Sequence, residues 1–471
     1  MEHDTRERGG APNTRHPPAD RGDVVLVHVT YEPVPAGGVL VKEVAFVTGL
    51  KIAMVSEHAS PLARLGGADA GGQNTHVAEL SRALARRGHE VRVYTRRDDP
   101  DLPDVVPFDD GVAVVHVPAG PAQPVPKDEL LPHMGEFGRW LARRWEDEPA
   151  SAPDVVHAHF WMSGLAALTA TAARRVPVVV TFHALGSIKR RFHGDNDPSP
   201  PTRLGLEREL AHLADRVVAQ CGEEVDELGR MGVGRGSIAI VPSGVDVERF
   251  TPTGPRVDRP GGRPRILSVG RMVERKGFGE LINALPLVPD AELVLIGGPP
   301  AAGLDGDPEA TRLRELAARR GVEDRVRLVG SVPHDDLPAW YRSADVVACA
   351  PWYEPFGLTP LEAMASGVPV VAYGVGGLAE SVIDGVTGVL VTPRDVRGLA
   401  GALRSLLADE VRRMSYASAA VDRVRSRYTW ERTAADIERV YTAVAGVPDS
   451  TPVLSAPGHA GPCVARDEQP E

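Results

Sequence analysis

Short, almost uninterrupted apolar runs alternate along most of this 471-residue chain with stretches whose apolar residues fall at helical spacing. A strand with one wet face would alternate polar and apolar residues. Continuous runs mean that both faces are buried, as in a parallel sheet covered by helices on each side. The first series comprises IAMVSE (52–57), EVRVYTRR (90–97), VAVVHV (112–117), DVVHAHF (154–160), VPVVVTFHA (176–184), RVVAQ (216–220) and IAIVPSG (238–244). A second comprises RILSVGR (265–271), AELVLIGG (291–298), RVRLVGSV (325–332), ADVVACAP (344–351), VPVVAYG (368–374) and GVLVTP (388–393). Residues 250–265, FTPTGPRVDRPGGRPR, separate the two series and read as a linker, being rich in Pro and Gly without periodicity. The predicted fold class is α/β, with two doubly wound sheets and a cleft at the carboxyl ends of their strands.

Charge and cysteine usage narrow the function class. The chain carries 53 basic against 64 acidic residues, a net charge of −11, which gives no electrostatic footprint for nucleic acid or an anionic membrane. Cys221, Cys349 and Cys463 form no CxxC pair, so neither a disulfide framework nor a structural zinc site is indicated. No apolar run approaches the roughly 20 residues that span a bilayer, and the first residues lack the layout of a secretory signal. A cytoplasmic enzyme is the expected class. Residues 1–48 show no periodic element before Lys51 beyond the short run VVLVHV, and are expected to be a disordered, dispensable extension; the Pro-rich residues 447–471 read as a disordered tail. Only five of the basic residues are lysines (Lys42, Lys51, Lys127, Lys189 and Lys276), so a lysine retained among so many arginines marks a place for a compact point charge.

The densest chemistry lies in PWYEPFGLTPLEAMASGVPVVAYGVGG, 351–377. Glu354 and Glu362 flank Phe356, Gly357 and Leu358, where a loop and helix start can offer free N–H groups to a diphosphate while the carboxylates accept hydrogen bonds from sugar hydroxyls. Thr359-Pro-Leu-Glu362 also reads as a capping box, a purely structural use of Glu362. In SVGRMVERKGF (268–278), Arg271 and Lys276 follow the first strand of the second series at five-residue spacing, a pair that in isolation reads as solvated charge. Gly66-Gly67 and Gly71-Gly72-Gln73-Asn74 lie between a strand and a helix in the first series. His183 ends a strand on the cleft side, whereas His157 and His159 with Asp154 lack a third ligand, so no metal is expected. Gly374 to Ala379 fits a dinucleotide fingerprint, but Gly385 interrupts the segment too soon for the crossover helix that fingerprint needs.

Together these motifs resemble the retaining glycosyltransferases of family 4, which include sucrose synthase, sucrose-phosphate synthase and the mycothiol-pathway N-acetylglucosaminyltransferase; the resemblance runs from about Lys51 to Ala445. It implies the GT-B fold, with facing Rossmann-like domains at 49–249 (acceptor side) and 262–427 (donor side), and a helix at 428–446 crossing back to the first. It implies hexosyl transfer from a UDP-, GDP- or ADP-sugar to a small acceptor without cofactor or metal, by front-face attack in which a donor phosphate oxygen helps to deprotonate the acceptor. By resemblance His183, Arg271, Lys276 and Glu354 serve catalysis, and Gly72, Phe356, Gly357, Leu358 and Glu362 complete the donor site, Glu362 at the ribose. Gln73, Asn74, Lys127, Lys189 and Arg203 would hold the acceptor. Three cations gathered there predict an anionic acceptor, although Phe160 stands where the mycothiol-pathway pattern has tyrosine. The competing readings are an NAD-dependent oxidoreductase using Gly374–Ala379 and a non-catalytic sugar-nucleotide-binding protein. The oligomeric state is left open.

Overall fold

The computed structural model describes residues 26–33, 39–47, 49–63, 71–194, 197–355 and 357–446. The chain divides into two compact units, Met1–Gly49 and Leu50–Glu471. In the smaller, β1 (Leu26–Pro33) and β2 (Val39–Val47) pair antiparallel, Leu26 opposite Val47 and Pro33 opposite Val39, with a register shift between Thr30 and Tyr31. This ribbon corrects the expectation of no regular element before Lys51. Each strand alternates raggedly, and pairing between strands, which no single run reveals, is what defines such a ribbon. The expected tail 447–471 lies outside the described residues.

The larger unit holds two sheets. In the first, β3 (Lys51–Val55), β4 (Glu90–Arg96), β5 (Val105–Asp109), β6 (Val112–Val117), β7 (Val155–His159), β8 (Val178–Thr181), β9 (Arg216–Ala219) and β10 (Ile238–Ile240) run in the order β10-β9-β8-β7-β3-β4-β6-β5. All pairs are parallel except β5 with β6 at the edge. The second contains β11 (Arg265–Val269), β12 (Glu292–Ile296), β13 (Val326–Gly330), β14 (Val346–Cys349), β15 (Val370–Tyr373) and β16 (Gly388–Val391) in the order β13-β12-β11-β14-β15-β16, all parallel. The strand first in sequence lies centrally in each, so the winding reverses between β3 and β7 and again between β11 and β14. Loops leaving neighbouring strands at such a point diverge to opposite faces, and the crevice between them is where open α/β sheets take ligands.

Residues 251–264 carry no helix or strand, as a linker should, yet they are packed down on the second domain. Arg265 is fully buried, its guanidinium bonded to Glu292 Oε1 (2.6 Å), Ser343 Oγ (2.7 Å) and the Asp258 carbonyl (3.0 Å). Arg342 Nε donates to the Pro255 carbonyl at 2.8 Å. Helix Glu410–Arg427 closes the second domain by burying Ala420 and Val424 beside Leu361, Val368 and Val370.

The last helix, Trp430–Ala445, packs on helix Gly72–Arg86 of the first domain. Trp430, Ala434, Ile437 and Tyr441, spaced by three or four residues, make one buried stripe against Leu50, Ile52, Val77 and Val91. Thr429 caps it, accepting from Arg432 N–H at 3.2 Å. Gly244 permits the approach, since a Cβ there would lie 2.7 Å from the Trp430 nitrogen. Among the described residues no helix is long and apolar enough to cross a membrane.

Candidate functional site

After β11 the chain turns through residues 270–277 into helix Phe278–Ala284, and after β14 it runs through 350–357 into helix Leu358–Ala365. Lys276 from the first loop and Glu354 from the second meet as a half-buried ion pair. Burial pulls the Lys276 ammonium pKa down, and Glu354 offsets only part of that. Burial pushes the Glu354 carboxyl up, but the charges of Lys276, Arg275 and Arg271 hold it below the usual range, so it is ionised at neutral pH. Gly277 has φ +75°, and a Cβ there would lie 1.8 Å from the Ala350 carbonyl oxygen, so only glycine lets these loops touch. Gly277→Ala should therefore destabilise the second domain by about 2–4 kcal/mol. Calorimetry beside Gly279→Ala, whose nearest atom is a Leu316 methyl at 3.4 Å, checks this. Equal melting temperatures would refute the close approach.

Leu358 opens its helix and Gly357, at φ +67°, precedes it in the left-handed region. Thr359 is thus already helical and caps nothing; its hydroxyl donates to the Val269 carbonyl at 3.1 Å. This corrects the capping-box reading. Glu362 instead accepts from the Tyr341 hydroxyl at 2.7 Å and faces His334 Nε2 at 3.4 Å, with Arg249 beyond the ring. Phe356 and Gly66-Gly67 lie outside the described residues.

In the first domain, Gly71 precedes helix Gly72–Arg86. Asn74 Oδ1 accepts from the Gly71 N–H at 3.0 Å and its Nδ2 donates to the Ser60 carbonyl at 3.0 Å. Gln73 Nε2 donates to the His159 carbonyl at 3.1 Å and to Ser56 Oγ at 3.3 Å. Both amides thus tie the start of this helix to the segments beside it. Across the cleft, a Cβ placed on Gly71 would lie 3.8 Å from Arg271 Nε, so the glycine turn and the second domain's cation face each other.

His183 follows β8 at φ +60°, buried, with Nε2 2.9 Å from His159 Nδ1. His157 bonds the Tyr441 hydroxyl (2.7 Å) and Thr181 Oγ1 (2.8 Å), and His76 bonds Ser243 Oγ at 2.9 Å. Burial drives His76 and His157 down to about 3, and His159 and His183 well below the ordinary value, with neighbouring histidines adding to the shift in all but His76. All four rings are neutral at pH 7. Among the described residues no group of three or more His, Cys, Asp or Glu is placed to hold a metal ion.

Lys127, Lys189 and Arg203 do assemble. Asp128 lies 3.3 Å from Lys127 Nζ and 3.8 Å from Lys189 Nζ, and Ser199 Oγ accepts from both Lys189 (2.9 Å) and Arg203 (3.0 Å). The argument that three cations require an external anion is corrected here, because Asp128, Asp197 and Glu207 already balance them, Asp197 at 3.0 Å from Lys189 and Glu207 at 2.7 Å from Arg203. The Arg203–Glu207 pairing was readable, since oppositely charged residues four apart on a helix adjoin. Tyr341, His334 and Asp197 left no comparable signal. The dinucleotide fingerprint finds no use: helix Gly376–Ser381 has six residues, and its first amides bond Glu223 and the Glu354 carbonyl.

Comparison with known proteins agrees with this architecture. Residues 70–249 match the family described as Glycosyltransferase Family 4, and residues 255–423 match Glycosyl transferases group 1. The chain is 40% identical over 408 residues to D-inositol 3-phosphate glycosyltransferase of Xylanimonas cellulosilytica, covering 83% of this chain and 96% of that one. With the protein of the same name from Kribbella flavida it shares 39% identity over 399 residues, 82% of this chain and 93% of the other. Sucrose-phosphate synthase from Thermosynechococcus elongatus superposes with a TM-score of 0.77 at 31% identity, over 84% of this chain and 99% of that one. Anabaena HepE in complex with UDP and glucose, at 21% identity and a TM-score of 0.64 over 84% of this chain and 100% of that one, shares the fold.

Proposed function

Since the chain belongs to the family 4 glycosyltransferases of GT-B fold, we propose that it transfers a hexosyl group from a nucleotide sugar, with retention of configuration and without a metal ion, to a phosphorylated inositol. The observation that carries this reading is that Arg271, whose charge bears on the Lys276–Glu354 pair of its own domain, faces Gly71 at the turn of the other. The donor diphosphate lies against Arg271, Lys276 and the first-turn amides of helix Gly72–Arg86. Two cations there stabilise the charge that grows on the leaving nucleotide as the glycosidic bond breaks. Ionised Glu354 accepts from the hexose hydroxyls, and Glu362, fixed by Tyr341, from the ribose. Burial makes the His183 ring a weak base, poorly suited to take up the acceptor's proton, which passes instead to a donor phosphate oxygen. The acceptor class follows the name of the curated relatives, with Lys127, Lys189 and Arg203 toward its phosphate.

The test is to incubate the purified full chain with UDP-, GDP- and ADP-hexoses and either inositol 3-phosphate or inositol. Transfer to the phosphate ester alone is expected. Equal transfer to free inositol would remove the anionic acceptor, and no transfer from any nucleotide sugar would remove the activity. Excess EDTA should leave the rate unchanged, whereas loss restored by manganese would end metal independence. Lys189→Ala should raise the acceptor's KM by roughly tenfold or more, the size of one charge-assisted hydrogen bond, with the donor's KM unmoved. A change in donor KM alone would place Lys189 elsewhere.

A further inference from the structure

The turn used up by the unused fingerprint joins the two domains. Glu223, on helix Gly222–Arg230 of the first domain, accepts from the Gly376 N–H of the second at 2.9 Å. In return the Gly222 N–H donates to Glu380. The next amide, Gly377, donates to the Glu354 carbonyl at 2.9 Å, and Gly376 itself, at φ +46°, would put a Cβ 2.3 Å from that same oxygen. A first-domain carboxylate is therefore one residue removed from the backbone that holds Glu354. Tyr353, the residue before Glu354, is buried among first-domain side chains, its ring stacked on Phe192 at 6.0 Å. From the other end, Arg423 donates to the Ser381 carbonyl (2.9 Å) and the Glu380 carbonyl (2.6 Å), so helix Gly376–Ser381 is anchored by its own domain at its end and by the other domain at its start.

We propose that Glu223 is a positioning residue for the transfer: through Gly376 and Gly377 it sets the Glu354 backbone when the two domains are engaged. Glu380 is exposed at the rim and serves mainly as the reciprocal contact. Loss of Glu223 frees the Gly376 amide and loosens the turn whose next amide, Gly377, holds the Glu354 carbonyl, so the carboxylate that faces the donor sugar is held less firmly while the cations that bind the diphosphate keep their place. This rests on the transferase reading for its consequence and on geometry alone for the contact.

Full-length Glu223→Ala, Glu223→Gln and Glu380→Ala separate the two. Without any ligand, Glu223→Ala should speed amide exchange in residues 374–381 by roughly five- to tenfold, the weight of one hydrogen bond, while Glu380→Ala changes it little. With substrates, Glu223→Ala should lower kcat by a similar factor at unchanged donor KM. Glu223→Gln, whose amide oxygen still accepts from Gly376, should restore both. Unchanged exchange in Glu223→Ala would overturn the contact. An effect on KM alone, or a Gln variant as impaired as Ala, would overturn the positioning role. If the wild-type chain transfers from no nucleotide sugar, the exchange measurement still decides the contact by itself.

Discussion

Lys276→Ala should lower turnover at saturating substrates by on the order of 10²-fold or more, because in the proposed transfer its charge acts mainly on the leaving diphosphate. A second consequence is specific to this fold. Removing the ammonium leaves Glu354 half-buried with burial as the largest influence on its carboxyl, and only Arg275 and Arg271 to oppose it. The carboxyl should then titrate higher, so residual activity should rise with pH more steeply than in the parent chain. Lys276→Arg keeps a counter-charge for Glu354 but spreads it over a planar fork, and should restore fold stability more fully than rate. Turnover and a melting curve measured together check both effects. Near-normal turnover in Lys276→Ala would take the residue out of the mechanism.

The buried histidines predict acid lability. His76 and His157 titrate at about 3 in the fold against an ordinary 6.5, so each adds stability that is fully present above pH 6.5 and is lost as pH falls toward 3. By pH 5 this costs about 2 kcal/mol for each of them, at about 1.4 kcal/mol per pH unit. His159 and His183 act in the same direction. Glu224 runs the other way: burial pushes its carboxyl up to about 7, so its contribution grows as pH falls from 7 toward its ordinary range and by pH 5 offsets about one histidine. A typical domain is stable by about 5–15 kcal/mol, so the first domain should need less denaturant to unfold at pH 5 than at pH 7. Denaturant melts of the two domains between pH 8 and pH 4.5 measure this. First-domain stability that stayed flat from pH 7 to 5 would show that the rings are not neutral in the fold.

Much of this was legible in the chain. Each apolar run of the two series became a strand of a parallel sheet, because burial on both faces leaves little freedom in composition. β5 escaped notice for the opposite reason: VVPFD is an edge strand with Pro107 inside and exposed side chains, so nothing demands apolar continuity. At the site, the loops bearing Arg271, Lys276 and Glu354 were recognisable by position after strands. That Lys276 and Glu354 touch was not, since they are far apart in sequence and meet only because β11 and β14 are neighbours. The same applies to the carboxylates around Lys189. Asp197 and Asp128 come from separate loops, and a count of cations made without their partners overstated the local charge.

The helix Trp430–Ala445 imposes an order of completion on synthesis. A ribosome releases β3 to β10 and then the whole second domain before the residues that cover Leu50, Ile52 and Val77 exist. Until then His157 lacks Tyr441, and the nascent first domain shows an oily face to whatever chaperones are at hand. The second domain, made later, can be finished earlier. Recombination between such genes faces the same fact: an exchange at the linker 251–264 separates the first domain from its own covering helix, so a working chimera needs a second crossover near Tyr428.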